Sequence, residues 1–288
     1  MRERKKAFWR SILALALCGG AFPLAARPAP AREPESLDLG YRRMYSLDFE
    51  GAERAFSTWQ QERPEDPRGP VSEAAGLLFS ELYRLGVLET QFFVDDDAFT
   101  GRGGRKPDPT VKVRLDAALR RAEALAHRRL AEDPADADAL FALALASGLK
   151  ADYLSLIEAR NVAALSPTKH ATEWAQRLLA VAPDYADAHL ATGLSQYIIG
   201  STPAPIRWVL RIGGFSGDKK EGIRELELTA ERGRFLAPFA RLLLAVAYLR
   251  QGDAARARRM LERLNEEFPE NPLYAREIAR IAAGKLGP

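Results

Sequence analysis

The chain has 288 residues with ordinary apolar and charged fractions and a formal net charge of +3, enough material for one large domain or two small ones. The basic surplus is local. Within residues 1–31, Arg2, Arg4, Lys5, Lys6, Arg10 and Arg27 face Glu3 alone, a surplus of five that turns +3 into −2 for the remainder, so the body of the chain has no electrostatic drive toward nucleic acid.

Residues 1–31 read as a signal peptide. A cationic start precedes an uncharged run from Ser11 to Ala26, and Ala29-Pro30-Ala31 supplies a small-residue cleavage signature. The run falls short of the roughly 20 residues that a membrane span requires. Export to the periplasm or beyond is therefore expected. Cys18, the only cysteine, follows Leu15-Ala16-Leu17 in the manner of a bacterial lipoprotein signal. Leu17 is bulky where that signal needs a small residue, so lipid anchoring through Cys18 is the lesser alternative. Cleavage beyond Cys18 leaves no thiol, which excludes disulfides, thiolate catalysis and cysteine-ligated zinc.

Past the leader, Ala, Leu, Arg and Glu dominate and apolar residues recur at three- and four-residue spacing. No sustained alternation suggests a strand, and breaks fall at Pro64, Pro134, Pro183, Gly233 and Pro269. The expected class is all-α. A first helix pair carries Leu39-Gly40, Ala52, Phe56 and Pro64, and a second closes at Ala122, Ala126 and Pro134. A third carries Leu143-Ala144, Ala171, Ala175 and Pro183. A fourth carries Thr192-Gly193, Gly222 and Leu226 and ends at Arg234. The fifth is the most regular: Leu244, Ala245 and Tyr248, a turn at Gly252-Asp253, then Ala257, Leu261, Leu264 and Pro269. Pro272–Lys285 follows as a helix suited to cap the open apolar end.

The fifth pair resembles a tetratricopeptide repeat, a helix–turn–helix unit of ~34 residues with small residues where its helices cross. Arg241 stands in place of the usual tryptophan and Ala245 in place of the glycine. The end markers Pro64, Pro134, Pro183, Arg234 and Pro269 are 70, 49, 51 and 35 residues apart, so the earlier units carry insertions. The resemblance covers residues 33–271. It implies a degenerate α-solenoid of four to five stacked antiparallel pairs, with insertions near 86–110, 150–165 and 200–218. The phrases YRRMYSLDFEGA, FFVDDDAF, DYLSLIEARN and ARLLLAVAYLR also resemble a group of exported bacterial tetratricopeptide-containing proteins, a likeness that implies no particular activity.

The first insertion contains QFFVDDDAFTGRGG, residues 91–104. Counted as a calcium loop from Asp95, its sixth and twelfth places hold Thr100 and Lys106, where glycine and glutamate are needed. Asp95, Asp96 and Asp97 therefore read as a helix-capping turn anchored by Phe92, Phe93 and Phe99. His127, His170 and His189 form no H-E-x-x-H pair; His170 and Glu173 share a face without further ligands, and His189 suits packing. Ser80, Ser155 and Ser195 lack a nucleophile-elbow context. Gly213–Lys219 lacks phosphate-loop spacing and reads as a turn opening a helix. No catalytic, cofactor-binding or metal-binding residue is assigned, and a non-enzyme is expected.

Two features point to binding. In the third insertion, Thr202 suits a cap and Pro203 or Pro205 a first turn. Ile206, Val209 and Leu210 share one face there, with Arg207 and Arg211 on another and Trp208 between them. The segment Ile206, Arg207, Trp208, Leu210 and Arg211 is a candidate interfacial helix for a membrane surface or a partner; refolding as an extra core helix is the favoured alternative. Tetratricopeptide arrays bind peptides in a concave groove, and here the residues projected onto that groove are Phe141, Leu145, Leu190, Leu194, Tyr197, Leu242 and Val246. An open apolar groove invites aggregation, so the insertions are expected to pack into it.

The reading is an exported, non-catalytic scaffold for a protein or peptide partner, with peripheral membrane or envelope association through the interfacial segment. The alternative is a carrier of a lipid or other apolar ligand, and a weaker one a metal-dependent hydrolase built on Asp95–Asp97.

Overall fold

The computed structural model describes residues 35–88 and 106–284. The chain divides into Met1–Pro34 and Glu35–Pro288, and every described helix lies in the second. The leader with Cys18 and the segment holding Asp95–Asp97 and Phe92, Phe93 and Phe99 lie outside the described residues.

Twelve α-helices and no strands occur among the described residues. They are α1 (Glu35–Tyr45), α2 (Phe49–Glu62), α3 (Arg68–Arg84), α4 (Pro109–Glu132), α5 (Ala137–Asp152), α6 (Asn161–Val181), α7 (His189–Ser201), α8 (Ala204–Ile212), α9 (Lys219–Arg232), α10 (Ala237–Leu249), α11 (Ala254–Glu267) and α12 (Pro272–Ala282). A π-helical turn, Tyr153–Ile157, extends α5, and a 3₁₀ turn, Ala186–Ala188, precedes α7. The pairs α1–α2, α3–α4, α5–α6, α7–α9 and α10–α11 stack in chain order, with α12 against α11. The expected all-α array of paired helices is present.

Short polar residues set the helix starts. Asp48, Asp108, Asp136, Asp218 and Asp253 accept N–H groups of the first turns of α2, α4, α5, α9 and α11, and Asn271 does so for α12. Accepting these donors holds the carboxyls of Asp48, Asp108, Asp218 and Asp253 below their ordinary value. Thr202 departs from expectation: its hydroxyl donates back to the Ile199 carbonyl at 2.7 Å, so it closes α7 instead of opening α8. Gly213–Lys219 behaves as expected, with Gly214 left-handed at φ +82° and Asp218 capping α9.

Across the second pair, the ends of the first insertion are tied together. The buried Glu81 carboxylate accepts the Asp108 N–H at 2.8 Å and pairs with Arg84, whose guanidinium also donates to the Lys106 carbonyl at 2.7 Å. The α7–α9 crossing is closer still. An added Cβ at Gly222 would collide with the backbone of Tyr197 and Gly193, so the two helices meet main chain to main chain. This is the close crossing that Gly193 and Gly222 signal in the sequence.

The array also bends until its ends meet, which stacking order alone did not foretell. Tyr41 stacks on Phe235 with ring centroids 4.9 Å apart, and Tyr45 packs on Phe268 at 5.6 Å. The Tyr45 hydroxyl donates to the Phe235 carbonyl at 3.0 Å, while the Asn271 amide donates to the Tyr45 carbonyl at 2.9 Å. Arg234 and Asp38 pair at 2.7 Å outside this seam.

Two glycine substitutions separate close approach from helix propensity. Gly222→Ala is expected to cost about 2–3 kcal/mol through overpacking. Gly148→Ala in α5, where a Cβ meets nothing within 4 Å, is expected to be neutral or to stabilise by about 0.5–1 kcal/mol. Denaturant midpoints of the two variants check the contrast.

Candidate functional site

The first helix of every pair turns one face inward. α1, α3, α5, α7 and α10 all contribute to the lining of one cavity of about 380 Å³, whereas α2, α4, α9 and α11 contribute nothing. Two elements from the insertions complete the wall. The π turn and the first half of α6 supply Ser155, Asn161, Ala164, Leu165 and Thr168, and the third insertion supplies Thr202, Leu210 and Phe215. Among the described residues, the second and third insertions wall the groove without filling it, and most of the first insertion lies outside those residues.

α5 shows how the sequence builds the site. Phe141, Leu145, Gly148 and Asp152 recur at helical spacing and all line the cavity. α5 also packs against α3, α4 and α6. Neighbours thus cover it on several sides, which is why the helix is apolar nearly all round. The π turn that follows sends Tyr153 and Ile157 into the core. Lys112 lies 4.8 Å from the Tyr153 ring and pairs with Glu158 at 3.6 Å, and the segment returns through Ala159 at a left-handed φ of 56°.

Of the seven projected groove residues, Phe141, Leu145, Leu190 and Leu194 line the cavity. Tyr197, Leu242 and Val246 are buried but do not line it. On α7 the inward stripe runs through Ala191, Leu194, Ser195 and Ile198. Tyr197 lies one position round, at the α9 crossing and 5.9 Å beneath the Lys219 ammonium. α10 reaches the cavity through Phe239 alone, with Leu236 from its N-terminal cap, so Leu242 and Val246 belong to neighbouring packing.

The candidate interfacial segment is helical, as α8, but it is not a core helix. Ile206, Trp208 and Ile212 are 54%, 66% and 69% exposed. Leu210 turns toward the cavity, Arg211 is exposed, and Arg207 donates to the Gly200 carbonyl at 3.2 Å. The alternative of an extra core helix fails because nine residues joined through the Gly213-Gly214 turn cannot turn Leu210 inward and also cover the opposite face. α8 packs chiefly on α7.

The cavity's titratable groups are Tyr41, Tyr45, Asp152 and Asp187. Asp187 is occupied: its oxygens accept the N–H groups of Arg234, Phe235 and Leu236 at 2.9–3.3 Å. Burial still pushes its carboxyl upward against those bonds. The Tyr41 hydroxyl accepts from Ser72 at 3.1 Å, and Tyr45 is held as described above. Asp152 differs. Its carboxylate has no hydrogen-bond or ionic partner among the described residues, and burial alone pushes it up from 3.8 to about 7. The sequence reading passed over Asp152, although extending the Phe141–Leu145 stripe by two further turns reaches it.

No group of three or more His, Cys, Asp or Glu among the described residues is placed to hold a metal ion. His127 packs edge-on against Trp174, His189 lies 3.9 Å from Glu225, and Glu173 is 4.0 Å from Lys169, not joined with His170 in a site.

Comparison with known proteins agrees with the helix pairing at the C-terminal end. The tetratricopeptide repeat family model matches residues 238–281, which comprise the fifth pair and α12. No curated protein matches the chain. Among solved structures, a thermophilic tetratricopeptide protein of Thermus thermophilus is similar at 18% identity and a TM-score of 0.44, over 86% of this chain and 98% of that one.

Asp152 gives a pH-dependent prediction. Because its folded value lies above the unfolded one, the folded chain retains a proton that the unfolded chain releases. The group is therefore neutral to stability below about pH 4 and increasingly destabilising up to about pH 7. Asp152→Asn is expected to raise stability by about 1–3 kcal/mol near pH 8 and to change little near pH 4. Thermal unfolding of both proteins across that range checks the sign.

Proposed function

We propose, from a tetratricopeptide repeat at the end of an array of like helix pairs, that this protein is an exported, non-catalytic interaction scaffold working in the bacterial periplasm or envelope. Its partner is a protein that presents an apolar segment to the inner face of the array. The observation that carries this reading is the cavity itself. Among the described residues, five helices direct apolar side chains at a space they leave unfilled, although packed interiors leave few voids larger than a water molecule. The exposed Ile206, Trp208 and Ile212 beside it give a partner a second apolar contact.

A second reading, a carrier of a lipid or other apolar ligand, is favoured by the concave, mostly apolar lining of the same space. A volume of about 380 Å³ falls within the ~300–1,000 Å³ typical of small-molecule sites, which are likewise apolar with a few polar groups.

The cationic leader and its Ala29-Pro30-Ala31 signature support the export reading. The mass of the protein recovered from the envelope fraction is expected to fit a chain beginning after Ala31; a chain retaining residues 1–31 contradicts export by cleavage. For the scaffold, a photo-reactive side chain at Leu194, inside the cavity, is expected to yield protein adducts in cells. One at Arg128, on the outer helix α4, is expected to yield none. Equal labelling from both positions, or none from Leu194, overturns the scaffold reading.

A further inference from the structure

The cavity's selectivity is written in one side chain. Among the described residues its walls carry no Lys, Arg or His, so nothing positive there answers the Asp152 carboxylate from α1, α3, α6, α7, α8 or α10. The other titratable groups facing it are already engaged: Asp187 with three backbone N–H groups, Tyr41 with Ser72 and Tyr45 with Phe235. Asp152 stands where the apolar stripe of α5 ends. The same lining carries the neutral acceptors Ser155 from the π turn, three residues on, and Asn161 and Thr168 from α6. The Ser155 and Thr168 hydroxyls donate to the Asp152 and Ala164 carbonyls, which leaves their lone pairs free to accept. An isolated carboxylate in an apolar wall is costly and weakens binding of anything neutral or negative; a cation that fills the wall removes the cost.

We propose that the cavity takes an apolar molecule with a primary ammonium head, its chain lying against Leu78, Phe79, Leu82, Leu145 and Leu194 and its head paired with the Asp152 carboxylate. This inference rests on the carrier reading and specifies the ligand that such a carrier would select. An ammonium offers three N–H donors, which the carboxylate and its neutral neighbours can share. A fatty acid places a second carboxylate beside Asp152 and is repelled. A fatty alcohol gains the same apolar burial but no charge pairing. Selection is also pH-dependent, because burial raises the Asp152 carboxyl to about 7, whereas an alkylammonium, like lysine, stays charged to about pH 10.

The test uses the full chain with decylamine, decanol and decanoate as probes below their aggregation limits, followed by isothermal titration calorimetry. Near pH 8.5, decylamine is expected to bind about ten-fold or more tighter than decanol, a factor that corresponds to one well-placed charge pair. Decanoate is expected to bind more weakly than decanol. Near pH 5.5 the gap between amine and alcohol should close to about two-fold, because Asp152 is then protonated. Asp152→Asn should keep the affinity for decanol and abolish the gap at both pH values. Equal binding of decylamine and decanol near pH 8.5, or a gap that survives Asp152→Asn, overturns the ammonium inference and leaves the carrier reading standing. If none of the three probes binds, the carrier reading falls and this inference with it. Asp152-dependent binding of a lysine-bearing apolar peptide without binding of decylamine overturns the small-amphiphile ligand in favour of the scaffold.

Discussion

The seam between the first helix and the last repeat is the constraint on which the molecule depends. Tyr41 and Tyr45 of α1 meet Phe235 and Phe268, residues nearly two hundred positions or more away, through ring contacts and the Tyr45 hydroxyl bond to the Phe235 carbonyl. Asp187 makes that meeting possible from the other side. By accepting three consecutive N–H groups at Arg234, Phe235 and Leu236, it fixes the connection between α9 and α10 against the start of α7. Without it the Phe235 and Leu236 donors would be buried unsatisfied, each at about 1–3 kcal/mol. The Phe235 ring could then not be held where Tyr41 stacks on it.

An open solenoid has a groove; a solenoid whose ends touch has an interior. That difference explains how apolar inner faces coexist with a folded chain. The Leu and Phe side chains of α3, α5 and α7 do not form an exposed patch, because α1 closes over one side while α6 and α8 narrow the others. Collapse of the space is opposed by backbone contacts that do not yield, such as the α7–α9 crossing at Gly193 and Gly222. The charge cluster at the foot of α3 acts in the same sense. Arg68 is buried between Asp66 at 2.8 Å and Asp138 at 3.0 Å, with the Trp59 ring 5.4 Å from its guanidinium. It ties three successive helix pairs into one frame, and its pairing keeps a buried charge from being a liability.

Within that frame, the second and third insertions are the parts that differ from plain repeats, and both line the cavity. The π turn after α5 supplies the wall beside Asp152, a placement in keeping with the tendency of such turns to occur at functional sites. α8 leaves Ile206, Trp208 and Ile212 in solvent and turns Leu210 inward. One short helix thereby joins an exposed apolar edge to the cavity.

The sequence by itself determined the helical class, an array of four to five paired helices and the positions of the breaks. Local physics decides these: apolar period, small residues at Gly193, Ala245 and Ala257 where helices cross, and aspartates at helix starts. It also determined four of the seven inner residues, because a helix face persists along a stripe, and the same stripe from Phe141 held Asp152. Only the tertiary structure decided that Tyr197, Leu242 and Val246 lie in packing instead, since a rotation of one residue round the helix selects the neighbour. It alone decided that α8 stands exposed and that the ends of the array meet. Those outcomes depend on the summed angles between successive pairs, and no local pattern of residues encodes that sum.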